Sequence, residues 1–93
     1  PEIRGRFVNA ANGYEMLSVY LNSNLFANRL AFKETTDYMP VRKGESIVSL
    51  VGQDGYLYYQ GPWRFNGCRN LTILIINTGS NLELLELPEV NCK

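Results

Sequence analysis

The chain has 93 residues, 45% of them apolar, with nine basic and nine acidic side chains that cancel and no histidine. That length holds one domain, and the neutral balance lacks the basic excess of a nucleic-acid binder or of a surface attached to anionic lipid. The missing histidine removes Ser-His triads, Cys-His dyads and most zinc sites together, and no apolar run is long enough to span a membrane.

Short apolar runs separated by turn residues fill the chain. Strands are expected at 4–10, 16–22, 25–32, 38–41, 46–51, 56–60, 63–65, 68–77 and 82–87. Residues 9–15 are small and polar and read as a loop. In the second strand Leu17, Val19 and Leu21 share one face, and Ser18 and Tyr20 the other. Asn22-Ser23-Asn24 is a turn. Leu30 and Phe32 alternate across Ala31 before Thr35, Thr36 and Asp37 turn the chain, with Asp37 expected to cap the corner. Pro40 cannot donate to a ladder, so the strand holding it is expected to be short, irregular or at an edge. Asp54-Gly55 and Asn66-Gly67 fit two-residue type I′ hairpins. Between them, Tyr56 and Tyr58 are expected on one side and Leu57 and Tyr59 on the other. The longest apolar run, 73–76, suits a buried strand. A hairpin around 78–81 pairs Asn77 with Leu82. Glu83 and Glu86 break strict alternation, for which a bulge, in preference to one helical turn, is the expected cause. Regular short strands of this kind indicate an antiparallel all-β sandwich or barrel.

The order Phe7-Val8-Asn9-Ala10, Ser18-Val19-Tyr20-Leu21-Asn22, Leu30-Ala31-Phe32, Asp37-Tyr38-Met39-Pro40-Val41 and Lys43-Gly44 resembles the bacterial family called domain of unknown function 4397. The resemblance covers about residues 5–50, and its corner at 37–44 is the most specific part. Departures are Ala11-Asn12-Gly13-Tyr14-Glu15, where members carry a Pro- and Asp-containing loop, and Arg42-Lys43 in place of Pro-Ala. The resemblance implies an immunoglobulin-like β-sandwich of about seven to nine strands, found in secreted, cell-surface and spore-associated proteins. It implies no activity.

Cys68 and Cys92 are the two cysteines. If Asn77 pairs with Leu82, position 68 falls opposite 91, and a shift of one residue brings Cys68 and Cys92 within disulfide reach. Such a bond would close a loop of about 25 residues and contribute roughly 3–4 kcal/mol in the chain-entropy model. Two free thiols, or a link between subunits through Cys92, are the alternatives. The chain begins at Pro1, which suits a mature form after signal removal or a trimmed chain.

Tyr56, Tyr58, Tyr59 and Trp63 form the densest aromatic stretch. They read as core and sheet-shielding residues, as a subunit interface, or as an exposed platform for sugar rings. The acidic residues are scattered and specify neither a glycosidase pair nor a calcium loop. No catalytic, cofactor or metal residues are expected. The expected function is a non-catalytic structural or interaction module, extracellular or on a cell or spore surface. Its expected partners are copies of itself or other surface proteins, with no nucleic acid and no membrane span. Residues 1–6 could add to a neighbour's sheet edge. The alternative is a carbohydrate-binding module using 56–65, with polysaccharide as the partner.

Overall fold

The computed structural model describes residues 3–66 and 70–87. Alternation builds its first strands. In β1 (Ile3–Asn9), Ile3, Gly5, Phe7 and Asn9 are buried while Arg4, Arg6 and Val8 turn the other way. In β2 (Met16–Leu21), Leu17 and Val19 are fully buried and Leu21 packs against them. β3 (Asn24–Ala31), β4 (Met39–Val41), β5 (Gly44–Gly52), β6 (Leu57–Phe65), β7 (Asn70–Thr78) and β8 (Asn81–Leu87) complete the eight strands among the described residues.

The strands form two four-stranded sheets, in the orders β4-β1-β7-β8 and β3-β2-β5-β6. The sheets stack as a sandwich. Phe7, Ile73 and Ile75 of the first meet Val19, Val48, Leu50 and Phe65 of the second, all 0% exposed. Among the described residues every ladder is antiparallel except β1 with β7, which is parallel. β1 fills the slot between β4 and β7. Those two run in opposite directions, so one of its ladders has to be parallel.

Several expected turns come out differently. Asn22 (φ 52°) and Ser23 (φ 71°) form the tight two-residue turn, between the paired Leu21 and Asn24. Asn22 is bolted to β5, since its Oδ1 accepts from Ile47 N at 2.8 Å. The Asp54-Gly55 turn is not type I′. Gly55 N donates to Gly52 O and Gly52 N to Tyr56 O, each at 2.9 Å, so the loop has three residues with only Gly55 left-handed (φ 84°). The reason is Asp54, whose Oδ1 accepts from Tyr56 N at 3.0 Å and favours this wider form. The two strands expected at 56–60 and 63–65 are one strand, β6. Pro62 is tolerated inside it because β6 lies at a sheet edge, where a missing N–H breaks no ladder. The expected bulge in β8 is absent, and its register with β7 runs unbroken from Thr78↔Asn81 to Thr72↔Leu87. Alternation is kept by turning Leu85 and Leu87 outward, 48% and 39% exposed. Of Asn66-Gly67, Gly67 lies outside the described residues.

The corner between β3 and β4 carries the chain from one sheet to the other. β4 covers only Ile3 to Gly5 of β1, and residues 33–36 cover the remainder. Lys33 N donates to Asn9 O at 2.6 Å, Asn9 N to Glu34 O at 3.0 Å, and Thr36 N to Phe7 O at 2.9 Å. Thr36 Oγ1 accepts from Phe7 N at 3.0 Å and donates to Asp37 O at 2.9 Å. Thr36 therefore does the work expected of Asp37, whose side chain is exposed and takes no part. Pro40 sits in a three-residue edge strand, as expected. Thr36→Val keeps the shape but leaves Phe7 N unpaired beside the core. A loss of about 1–3 kcal/mol is expected in urea unfolding, with an unchanged slope.

Candidate functional site

The loop after β1 is organised from inside by a buried side chain. Asn9 is 0% exposed. Its Nδ2 donates to Tyr14 O at 2.9 Å and Leu30 O at 3.1 Å, and its Oδ1 accepts from Ala11 N at 3.1 Å. Tyr14 N also donates to Ala11 O at 3.1 Å. These bonds set Tyr14 at the end of the sandwich, next to the β5–β6 turn.

Tyr58 reaches the same place from β6. Its ring lies over the Gly52 backbone, and a Cβ at Gly52 would stand 2.5 Å from Tyr58 Cε2 and 2.8 Å from Asp54 Oδ1. Glycine is thus required for the close approach rather than for the turn. Tyr14 and Tyr58 meet edge to face, with centroids 5.2 Å apart and planes at 86°. Tyr56 packs on Tyr58 at 4.8 Å and 61°. Tyr14 and Tyr58 flank an open cleft of about 280 Å³ that also takes in Glu15, Met16, Gln53 and Asp54. The Tyr58 phenol is pushed above its ordinary value of 10, chiefly by the Asp54 carboxylate, with smaller contributions from burial, Tyr14 and Tyr56.

The aromatic stretch does not form a single platform. The structure brings Tyr56 and Tyr58 together and adds Tyr14, but turns Tyr59 and Trp63 against the core. Alternation explains the split, since Tyr59 and Trp63 share the parity of the fully buried Phe65. A register shift between Leu50↔Tyr59 and Val51↔Leu57 turns Leu57 outward, away from the side expected for it. The Tyr59 phenol is raised by burial first and by Glu83 second. Trp63 Nε1 is buried without an acceptor among the described residues. Tyr14 was not singled out from the sequence, although a tyrosine in an otherwise small and polar loop is a signal of sorts. Cys68 and Cys92 lie outside the described residues. The β7–β8 register that placed them near one another continues without a shift as far as Thr72↔Leu87.

Tyr58 gives a direct spectroscopic check. Its folded value is raised, so stability from this group is present below pH 10 and is lost as pH climbs through the folded value. In a titration followed by phenolate absorbance, Tyr58→Phe should remove a step above pH 10, and Asp54→Asn should move that step down towards 10.

Two four-stranded sheets around one apolar core, with a corner that passes the chain between them, define an immunoglobulin-like β-sandwich. The family model described as "Domain of unknown function (DUF4397)" matches residues 5–92, and the chain belongs to that family. The match takes in the second half of the chain as well as the half that carried the resemblance. No curated protein matches it. Among the described residues no group of three or more His, Cys, Asp or Glu is placed to hold a metal, and no helix is long and apolar enough to cross a membrane.

Proposed function

We propose that this domain is a non-catalytic structural or interaction module that works outside the cytoplasm, on a cell, spore or fibre surface, with another copy of itself as its partner. The observation that carries this reading is an apolar row on the outer face of the first sheet. Val8 pairs with Leu74 and Leu74 with Leu85, so three strands contribute one line of apolar side chains. The row ends at β8, which is an edge strand among the described residues, and Leu87 extends it. An edge with outward leucines is a surface on which another strand or sheet can pack. The extracytoplasmic setting is the one implied by the family resemblance, and the cysteine pair is compatible with it.

Residues 1–6 do not serve as the joining segment in this reading. Pro1 and Glu2 lie outside the described residues, and Ile3 to Arg6 are already held inside a sheet between β4 and β7. Adding them to a neighbour would cost both of those ladders. The test is sedimentation velocity over a wide concentration range. The wild type should associate, and the Leu85→Lys, Leu87→Lys double variant should remain monomeric with an unchanged melting temperature. A wild type that stays monomeric throughout would sink the reading.

Polysaccharide binding is the second reading. It is favoured by Tyr56, which is 62% exposed beside Tyr58 at the hairpin tip. Retention on insoluble polysaccharide, lost in Tyr56→Ala and Tyr58→Ala, would support it. Trp63→Ala is a poor probe here, because that ring packs against the core.

A further inference from the structure

We propose that two copies of this chain join along β8, antiparallel and about a two-fold axis at Leu85, so that their first sheets merge into one. This rests on the self-association reading above and adds how the copies meet. Among the described residues β3, β4, β6 and β8 stand at sheet edges. An open edge invites pairing, and three of these edges are blunted against it. β4 is three residues long and holds Pro40. β3 is irregular, with register shifts against β2 and a left-handed Arg29 (φ 57°). β6 holds Pro62 and a register shift against β5. β8 has seven residues, no proline, no lysine or arginine, and an unbroken register with β7.

The β8 backbone is arranged for a partner. Thr78 and Asn81 flank the two-residue turn, which makes theirs a hydrogen-bonded pair. Pair types alternate along an antiparallel ladder, so Leu82, Leu84 and Glu86 aim their N–H and C=O groups away from β7. Glu83 and Glu86, the two charges of β8, then select the register. Outward side chains must meet outward side chains, so the axis falls on a residue and not between two. An axis at Glu83 or at Glu86 sets like charges directly opposite, which is destabilising. An axis at Leu84 puts Glu83 beside the second copy's Leu85 and interrupts the apolar row. An axis at Leu85 puts Glu83 opposite the second copy's Leu87, and Glu86 opposite its Leu84. The row Val8, Leu74, Leu85 then runs straight into its counterpart, and Leu85, 48% exposed, packs beside its own copy. The same patch serves both copies, so the assembly closes at two.

The test begins with sedimentation velocity of the full chain, where the wild type should reach a dimer and go no further. Glu86→Pro removes an N–H that faces the open edge and leaves the β7 ladder whole. It should weaken the dimer about tenfold or more, with little change in melting temperature. Cysteine cross-linking reads the register. On mild oxidation Leu85→Cys should give a disulfide-linked dimer above the wild-type background from Cys68 and Cys92. Glu83→Cys and Leu87→Cys should each fail to do so alone and should cross-link when mixed. A monomeric wild type would overturn this proposal and the self-association reading together. A dimer that survives Glu86→Pro and gives none of these cross-links would overturn the edge pairing alone, and leave association through the apolar face. Growth beyond a dimer would overturn the closed two-fold arrangement.

Discussion

Asn9→Leu should unfold at a temperature roughly 15–30 °C below the wild type, a loss of about 3–5 kcal/mol. The substitution keeps the branched outline of the side chain, with somewhat more bulk, and removes its hydrogen-bonding groups. Three partners lose their bonds: Tyr14 O, Leu30 O and Ala11 N. Asn9 is fully buried, so water has no ready access to replace them. Leaving buried groups unpaired costs more than the net value of the bonds themselves. Asn9→Asp is the sharper probe. Its oxygen can still accept from Ala11 N, but a second carboxylate oxygen would face the Tyr14 and Leu30 carbonyls. Protonation restores a donor, so the folded-state pKa of the new carboxyl should rise above its unfolded value of about 3.9. Stability of this variant should therefore be higher at pH 4 than at pH 7, falling as pH rises through the raised value. Urea unfolding at the two pH values measures it. A variant insensitive to pH over that interval would mean that Asn9 is not the hub of the loop.

Much of the sandwich was legible in the sequence because its signals are local. Leu17, Val19 and Leu21 declare a face by spacing alone, and Leu17 and Val19 are fully buried. Pro40 marks its strand as an edge because a missing N–H is a property of one residue. The Asn77↔Leu82 pairing follows from the turn at Gly79-Ser80 and holds along the whole hairpin. The errors arise where a side chain overrides a backbone rule. Asp-Gly reads as type I′ by its dipeptide, yet the Asp54 side chain bonds Tyr56 N and widens the loop. Glu83 and Glu86 suggested a bulge because strict alternation puts residues three apart on opposite faces, which turns one glutamate inward. Leu85 and Leu87 point outward, so the strand needs no irregularity.

The candidate site was less legible, for a reason of distance. Tyr14 and Tyr58 are far apart along the chain and meet only because β2 and β6 both flank β5. Nothing in residues 9–15 announces that contact. Gly52 looks like an ordinary strand-end glycine until the Tyr58 ring is seen resting on it. Trp63 shows the converse error. Its composition suits a binding platform, but its place in the alternation of β6, two residues before the fully buried Phe65, sends it inward.

Phe7→Ala should cost about 3–5 kcal/mol, a large fraction of the 5–15 kcal/mol expected of a domain this size. Phe7 is fully buried in β1, and its ring meets Phe26 of the opposite sheet edge to face, at 5.3 Å and 69°. The ring therefore ties the two layers together, and an alanine leaves a cavity between them that the rigid ladders on both sides of β1 cannot close. Phe7→Leu retains most of the volume and should cost less than half as much. A double-mutant cycle of Phe7→Leu with Phe26→Leu should return a coupling of about 0.5–1.5 kcal/mol for the ring pair. Leu87→Ala is the contrast. By hydropathy alone Leu87 and Phe7 are both core candidates, but Leu87 is outward on an edge strand, and its loss should stay within about 0.5 kcal/mol. Chemical unfolding of Phe7→Ala, Phe7→Leu and Leu87→Ala decides the matter. Should Leu87→Ala prove as damaging as Phe7→Ala, β8 would have its inner and outer faces exchanged, and the apolar row proposed for self-association would belong to the core instead.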